Sequence, residues 1–150
     1  MKRINKDQYF IQMCETVALR STCLRHQIGC VIVDINSKIV STGYNGAVRG
    51  VEHCLDKGCI RDELKIKSAT RIECCEAVHA EQNALIQAGK YSENSTLFVN
   101  CIPCITCSKM IINAGIKRVV IPADNTYSDK DGLALLNKVG VEVTRLHHVI

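Results

Sequence analysis

Apolar and polar positions along this chain switch repeatedly between a helical and a strand-like rhythm. From Ile4 onward, Phe10, Ile11, Cys14, Val17 and Ala18 recur close to helical spacing and predict an amphipathic first helix over residues 5–20. Gly29 then opens a strand. Cys30 to Ile35 and Lys38 to Tyr44 read as two strands about a turn at Asn36-Ser37, an antiparallel hairpin. The stretch from Gly46 to about Glu76 breaks the pattern with glycines and many charges. Regular alternation resumes with a helix over Val78 to Ala88 ended by Gly89, a strand over Thr96 to Asn100 and a helix over Cys104 to Ala114 ended by Gly115. A strand over Lys117 to Ile121, a helix near Lys130 to Lys138 and a strand over Val141 to Leu146 complete the series. Strands alternating with helices predict an α/β fold, a three-layer α/β/α sandwich whose roughly five-stranded sheet is mixed because its first pair is a hairpin.

Composition narrows this to one domain over residues 1–150: the length and the 47% hydrophobic content suit a single core. The first ten residues carry Lys2, Arg3, Lys6 and Asp7, and no stretch has the roughly twenty apolar residues of a membrane span, so neither a signal peptide nor a membrane segment is expected. Ten cysteines without a secretory signal point to a reducing compartment, with the cytoplasm as the expected location, where clustered thiols bind metal or stay free. The net charge of +4 comes from scattered Lys and Arg with few aromatics between them. No stable nucleic-acid partner is expected, while a small anionic substrate is compatible.

The candidate chemistry sits where two predicted helices begin. His79-Ala-Glu81 opens one, and Pro103-Cys104-Ile-Thr-Cys107 opens the other just after a strand. One imidazole and two thiolates make three zinc ligands, and a catalytic zinc keeps its fourth position open for water that ionises near neutral pH. A helix N-terminus favours thiolate over thiol at Cys104 and Cys107. Glu81, two residues from His79, is placed to carry protons as general acid and base. His-x-Glu followed by Pro-Cys-x-x-Cys is the signature of zinc deaminases acting on nucleobases.

Within that group, His79-Ala-Glu-Gln-Asn-Ala-Leu resembles the deoxycytidylate (dCMP) deaminase form of the motif in the cytidine deaminase superfamily. Gly43-Tyr-Asn-Gly46 resembles the stretch lining the substrate pocket, and Ala114-Gly-Ile-Lys-Arg118 a further shared segment; Val48 stands where the family usually has proline. The resemblance implies hydrolytic deamination of dCMP to dUMP, with Asn45 bonding sugar or phosphate and Tyr127 contacting substrate. It also implies a hexamer regulated by dCTP and dTTP, with Mg2+ on the effector. Alternatives are a preference for dCTP or another cytosine nucleoside or nucleotide, and a zinc-stabilised binding protein of DNA uptake.

Dimetal relatives, including phage enzymes and bacterial late-competence deaminases, carry a second, structural zinc in an insertion, here at about 47–76. By resemblance its ligands are Cys23, Cys54, Cys59 and Cys74, with His53 an alternate for Cys54 and Cys75 for Cys74. Four thiolates closing so polar a loop would substitute for a hydrophobic core. Cys14, Cys30 and Cys101 lie in apolar segments and are expected in the core. Arg49, Lys65, Lys67 and Arg71 are charges of the insertion that either bind a nucleotide phosphate or form a solvated face, the commoner role of such charges, and His147 and His148 are assigned no role.

Overall fold

Helix α1 spans Lys6–Ala18, started by a capping box in which the Asn5 side chain accepts from the Gln8 N–H at 2.8 Å and the Asn5 N–H donates to the Gln8 side chain at 3.1 Å. Its buried stripe is Phe10, Ile11, Cys14 and Ala18. The structure, a computed structural model, describes residues 3–125 and 130–147; Tyr127 and His148 lie outside the described residues.

The sheet has five strands: β1 (Gly29–Val33), β2 (Ile39–Tyr44), β5 (Thr96–Val99), β6 (Arg118–Pro122) and β7 (Glu142–Leu146), in the order β2-β1-β5-β6-β7. β1 runs antiparallel to both β2 and β5, and β5, β6 and β7 are mutually parallel. The expected mixed sheet with a hairpin at its start is therefore present. Alternate side chains leave the sheet on opposite faces. Val31, Val33, Phe98 and Val120 pack under α1 with Phe10, Ile11 and Cys14. Cys30, Ile32, Leu97, Val99, Val119 and Ile121 pack with residues of α4 (Ala80–Ala88), α5 (Ile105–Asn113) and α6 (Lys130–Lys138). Both faces are covered, which is why β1 is buried along its whole length. Arg118 of β6 forks onto both carboxylate oxygens of Asp7 and ties α1 across that layer.

Two local arrangements set the functional region. At Gly43 in β2, a Cβ would lie 2.3 Å from the Ala80 carbonyl oxygen and 2.5 Å from the Ala84 nitrogen, so only glycine lets α4 press this close to the sheet. The second is a two-stranded ribbon that the sequence pattern did not predict: β3 (Gly46–Ala47) pairs antiparallel with β4 (Ala77–Val78). It closes the base of the insertion, and α4 begins at Ala80 rather than Val78 because Val78 belongs to this ribbon. Strands of two residues carry too little periodicity to be read from sequence. Inside the loop are two short helices, α2 (Cys54–Lys57) and α3 (Ile60–Glu63), and a single 3-10 turn at Ile72–Cys74. Lys57 pairs with Glu76, joining α2 to the closing end of the loop.

Candidate metal centre and its cavity

The N-termini of α4 and α5 meet on the sheet face that these two helices cover. His79 is the residue before α4, with its N–H donating to the Gln82 side chain at 2.9 Å, and Cys104 is the residue before α5. The Cys104 Sγ lies 3.6 Å and the Cys107 Sγ 3.4 Å from His79 Nδ1. All three ligand atoms fall within 4.8 Å of one another, the arrangement one ion requires. Among the described residues this is the group of potential metal ligands that converges. One imidazole and two thiols fit zinc and suit oxygen-seeking cations poorly, and three protein ligands leave a fourth position open.

Electrostatics within the triad favour deprotonation of Cys104 and leave the protons on its two neighbours. The Cys104 thiol is pulled down to about 4, first by a hydrogen bond from Cys107 and then by His79 and the Cys107 backbone N–H, against the effect of burial. Cys107 is pushed up by the same bond and by burial, so without an ion it is the proton donor of the pair. The His79 ring is held above its ordinary range, chiefly by Cys104 with Glu81 assisting, while burial and the Arg61 charge oppose. Glu81 is buried at 2% exposure, and that burial raises its carboxyl above the usual range.

These residues sit at one end of a cavity of about 700 Å³, within the range of small-molecule sites. Asn45 is in its wall, with its side-chain oxygen accepting from Ile28 N–H at 2.9 Å and its amide donating to His26 O at 2.9 Å. It therefore shapes the wall as well as facing the interior. Cys23, Cys54, Cys59 and Cys75 line the same cavity. Burial, then the neighbouring Cys59, Cys23 and Cys75, push the Cys54 thiol up, which marks these four as a group although their sulfurs do not converge as the first triad does. Cys74 lies outside the cavity wall, its Sγ 3.3 Å from Arg71 Nη2, and His53 is exposed. Between the two adjacent cysteines, the inward position thus belongs to Cys75. Cys14, Cys30 and Cys101 are buried, and burial raises all three thiols.

The sequence reading missed several wall residues. Asn100 and Asn125 belong to it, with Asn125 donating to the Asn100 carbonyl at 2.9 Å, as do Arg25, His26 and Arg61. Arg25 follows Cys23 by two residues and Arg61 follows Cys59 by two. That shared spacing from cysteines expected to hold the second zinc was the available signal. Arg49, Lys65, Lys67 and Arg71 are exposed.

The family profile described as the cytidine and deoxycytidylate deaminase zinc-binding region matches residues 4–123, a stretch that contains His79, Glu81, Cys104 and Cys107. The chain belongs to this deaminase family. Among its family relatives, the deoxycytidylate deaminase of Schizosaccharomyces pombe is 37% identical over 139 residues, covering 91% of this chain and 42% of that protein. The deoxycytidylate deaminase of Mycobacterium phage D29 is 37% identical over 132 residues, covering 83% of this chain and all of that one. The crystal structure of the dCMP deaminase of cyanophage S-TIM5 in complex with dCMP and dUMP is 31% identical, with a TM-score of 0.75 over 97% of this chain and 100% of that one. The chain spans less than half the length of the yeast relatives it matches. Among the described residues, no helix of this family member is long and apolar enough to cross a membrane.

Proposed function

We propose that this chain catalyses hydrolytic deamination of dCMP, dCMP + H2O giving dUMP + NH3, as one deaminase domain over residues 1–150 with its zinc-binding insertion at about 47–76. The observation that carries this reading is the convergence of His79, Cys104 and Cys107 within 4.8 Å beside buried Glu81 in one cavity. The likeness to a phage enzyme that binds dCMP and dUMP supports the substrate.

Held by those three side chains, zinc supplies a Lewis acid that brings water close to ionisation at neutral pH. The chain's own residues do the rest. Glu81 takes a proton from the water attacking C4 and delivers it to N3 of the cytosine ring. It then carries a second proton to the exocyclic nitrogen as the C4–N bond breaks, releasing ammonia. Burial raises the proton affinity of Glu81, so one carboxyl serves both as base and as acid. The positive ends of α4 and α5 face the triad and favour the thiolate forms of Cys104 and Cys107. Asn45 has one amide hydrogen beyond its bond to His26 O and offers it to the sugar or phosphate, and Tyr127 contacts the substrate.

In the same reading, a second zinc is bound by Cys23, Cys54, Cys59 and one of the Cys74 and Cys75 pair; the inward position of Cys75 favours that residue. The assembly is a cytoplasmic hexamer, activated by dCTP and inhibited by dTTP with Mg2+ on the effector. Ammonia release from dCMP, dCTP, deoxycytidine and CMP by zinc-loaded protein tests this, together with elemental analysis. Fastest turnover of dCMP, lost on chelation and restored by zinc, with about two zincs per chain, is the expected result. Zinc-loaded protein that turns over none of the four, with or without dCTP, refutes the assignment.

A further inference from the structure

Two stretches of the cavity wall repeat one pattern, cysteine, apolar residue, arginine: Cys23-Leu24-Arg25 after α1 and Cys59-Ile60-Arg61 at the start of α3. In each the apolar residue is exposed, at 51% for Leu24 and 38% for Ile60, while the cysteine and the arginine on either side of it share the cavity. Arg25 Nε donates to Asp62 Oδ1 at 2.7 Å, which joins the two stretches, and its Nη2 donates to Ile66 O at 2.6 Å. Arg61 is 9% exposed, and its Nη2 donates to Lys67 O at 2.9 Å. Two buried donors, Arg25 Nη1 and Arg61 Nε, have no hydrogen-bond partner among the described residues. Among those residues Arg61 also pairs with no carboxylate.

A buried cation without a counter-charge is costly, and Asp62 serves Arg25 alone. The groups that share the wall with both arginines include the thiols of Cys23, Cys54, Cys59 and Cys75. These four sit close together: burial first, then Cys59, Cys23 and Cys75, push the Cys54 thiol up. They also reach the arginines, since Arg25 is pushed up first by its bond to Asp62 and, with smaller effect, by Cys59 and Cys23. A neutral thiol is a weak acceptor for a guanidinium, whereas zinc held by four thiolates carries two net negative charges spread over its sulfurs. Orphaned guanidinium donors beside four cysteines fit such a charged cluster. A charge-assisted N–H bond to a thiolate orients the ligand as well as offsetting its charge.

We propose that Arg61 and Arg25 are positioning residues of the second metal site, whose guanidinium N–H groups donate to its thiolates, offset their charge and set how tightly that zinc is held. This rests on the second-zinc reading above and deepens it. Each arginine stands two residues after a cysteine of the site, so ligand and counter-charge come from the same stretch of chain. Asp62 holds the two stretches together by orienting Arg25 from α3. The competing account is that the arginines are struts for the backbone of the insertion, which they bond at Ile66 O and Lys67 O.

Metal binding separates the two. Zinc is withdrawn from zinc-loaded protein by a chelator of known affinity, and cobalt-loaded protein is read for its sulfur-to-metal charge-transfer absorption. Wild type is expected to hold about two zincs per chain, one of which is lost in Cys54→Ser. Arg61→Gln can still donate to Lys67 O but lacks the charge. It should weaken zinc at the second site by roughly 10- to 100-fold, the scale of partners that orient metal ligands, and lower the cobalt charge-transfer intensity, with the zinc of the triad retained. Arg61→Lys, which keeps the charge and loses the planar fork, should fall between. Wild-type affinity at the second site in Arg61→Gln overturns the proposal and leaves the strut account, and an equal loss in Arg61→Gln and Arg61→Lys overturns it as well. If Arg61→Gln does not fold, Arg25→Gln carries the same comparison. A wild type that holds one zinc, kept in Cys54→Ser, refutes the second-zinc reading and the proposal with it, whereas two zincs held equally well by the variants refute the proposal alone.

Discussion

Gly43→Ala tests whether the seating of α4 on the sheet sets the metal triad. The strand conformation at Gly43 suits alanine, so the whole effect is steric. The added Cβ would sit 2.3 Å from Ala80 O and 2.5 Å from Ala84 N, both backbone atoms that cannot rotate away. Restoring ordinary contact requires α4 to back off by about 1 Å, and overpacking of this kind costs about 1–3 kcal/mol. Ala80 lies between His79 and Glu81 in the chain, so the displacement passes directly to both, while Cys104 and Cys107 stay with α5. A misplacement of about 1 Å at reacting groups lowers a rate by roughly 100-fold. The variant should therefore denature at lower denaturant concentration, deaminate dCMP about two orders of magnitude more slowly, and bind zinc more weakly in competition with a chelator. Full activity with a stability loss under about 0.5 kcal/mol would refute the argument, because helix-to-sheet spacing would then not control the triad.

Glu81→Gln keeps the shape of the side chain and removes proton transfer, so dCMP turnover should fall by about 100- to 10,000-fold while elemental analysis still finds zinc at the triad. Phe10→Ala empties the centre of the α1 layer, where Phe10 meets Phe98 with ring centroids 5.0 Å apart, and should lower unfolding free energy by about 3–5 kcal/mol in denaturant titration. The folded state favours neutral His26, because burial and then Arg25 and Arg61 depress its proton affinity. Its contribution to stability is full above the unfolded value of about 6.5 and is lost as pH falls from there through the lowered folded value, so His26→Asn should flatten the decline of stability as pH falls below about 6.5. An unchanged slope would show that His26 does not report the two arginines.

The layered fold was legible because the stripe of α1 and the apolar run of β1 extend along whole elements, and the single glycines after α4 and α5 mark where those helices end. The triad of His79, Cys104 and Cys107, with Glu81 beside it, was legible because these residues follow a fixed spacing at helix starts. What the sequence concealed depends on tertiary contact. Arg61 reads as one more charge in a polar loop, and only the packing of α3 takes it out of water. Cys74 and Cys75 are adjacent and chemically identical, so their difference lies in the turn at Ile72–Cys74, which gives Cys74 to Arg71 and Cys75 to the cavity. The amide of Asn45 is engaged by backbone groups of residues 26 and 28, partners that no local pattern around Asn45 announces.

The ribbon of Gly46–Ala47 with Ala77–Val78 separates two kinds of tolerance in this chain. Because it pins both ends of the insertion, doubling the loop's length would add only about 0.6 kcal/mol of closure entropy, and the enclosed segment can be lengthened or rebuilt with little effect on the layers beneath. The step after the ribbon has no such latitude. His79 follows Val78 directly, so a register slip of one residue between β3 and β4 would turn the imidazole to the opposite face and dismantle the triad. The insertion can therefore change in length or sequence while the metal-binding triad keeps its place, with two residue pairs marking the boundary between the two.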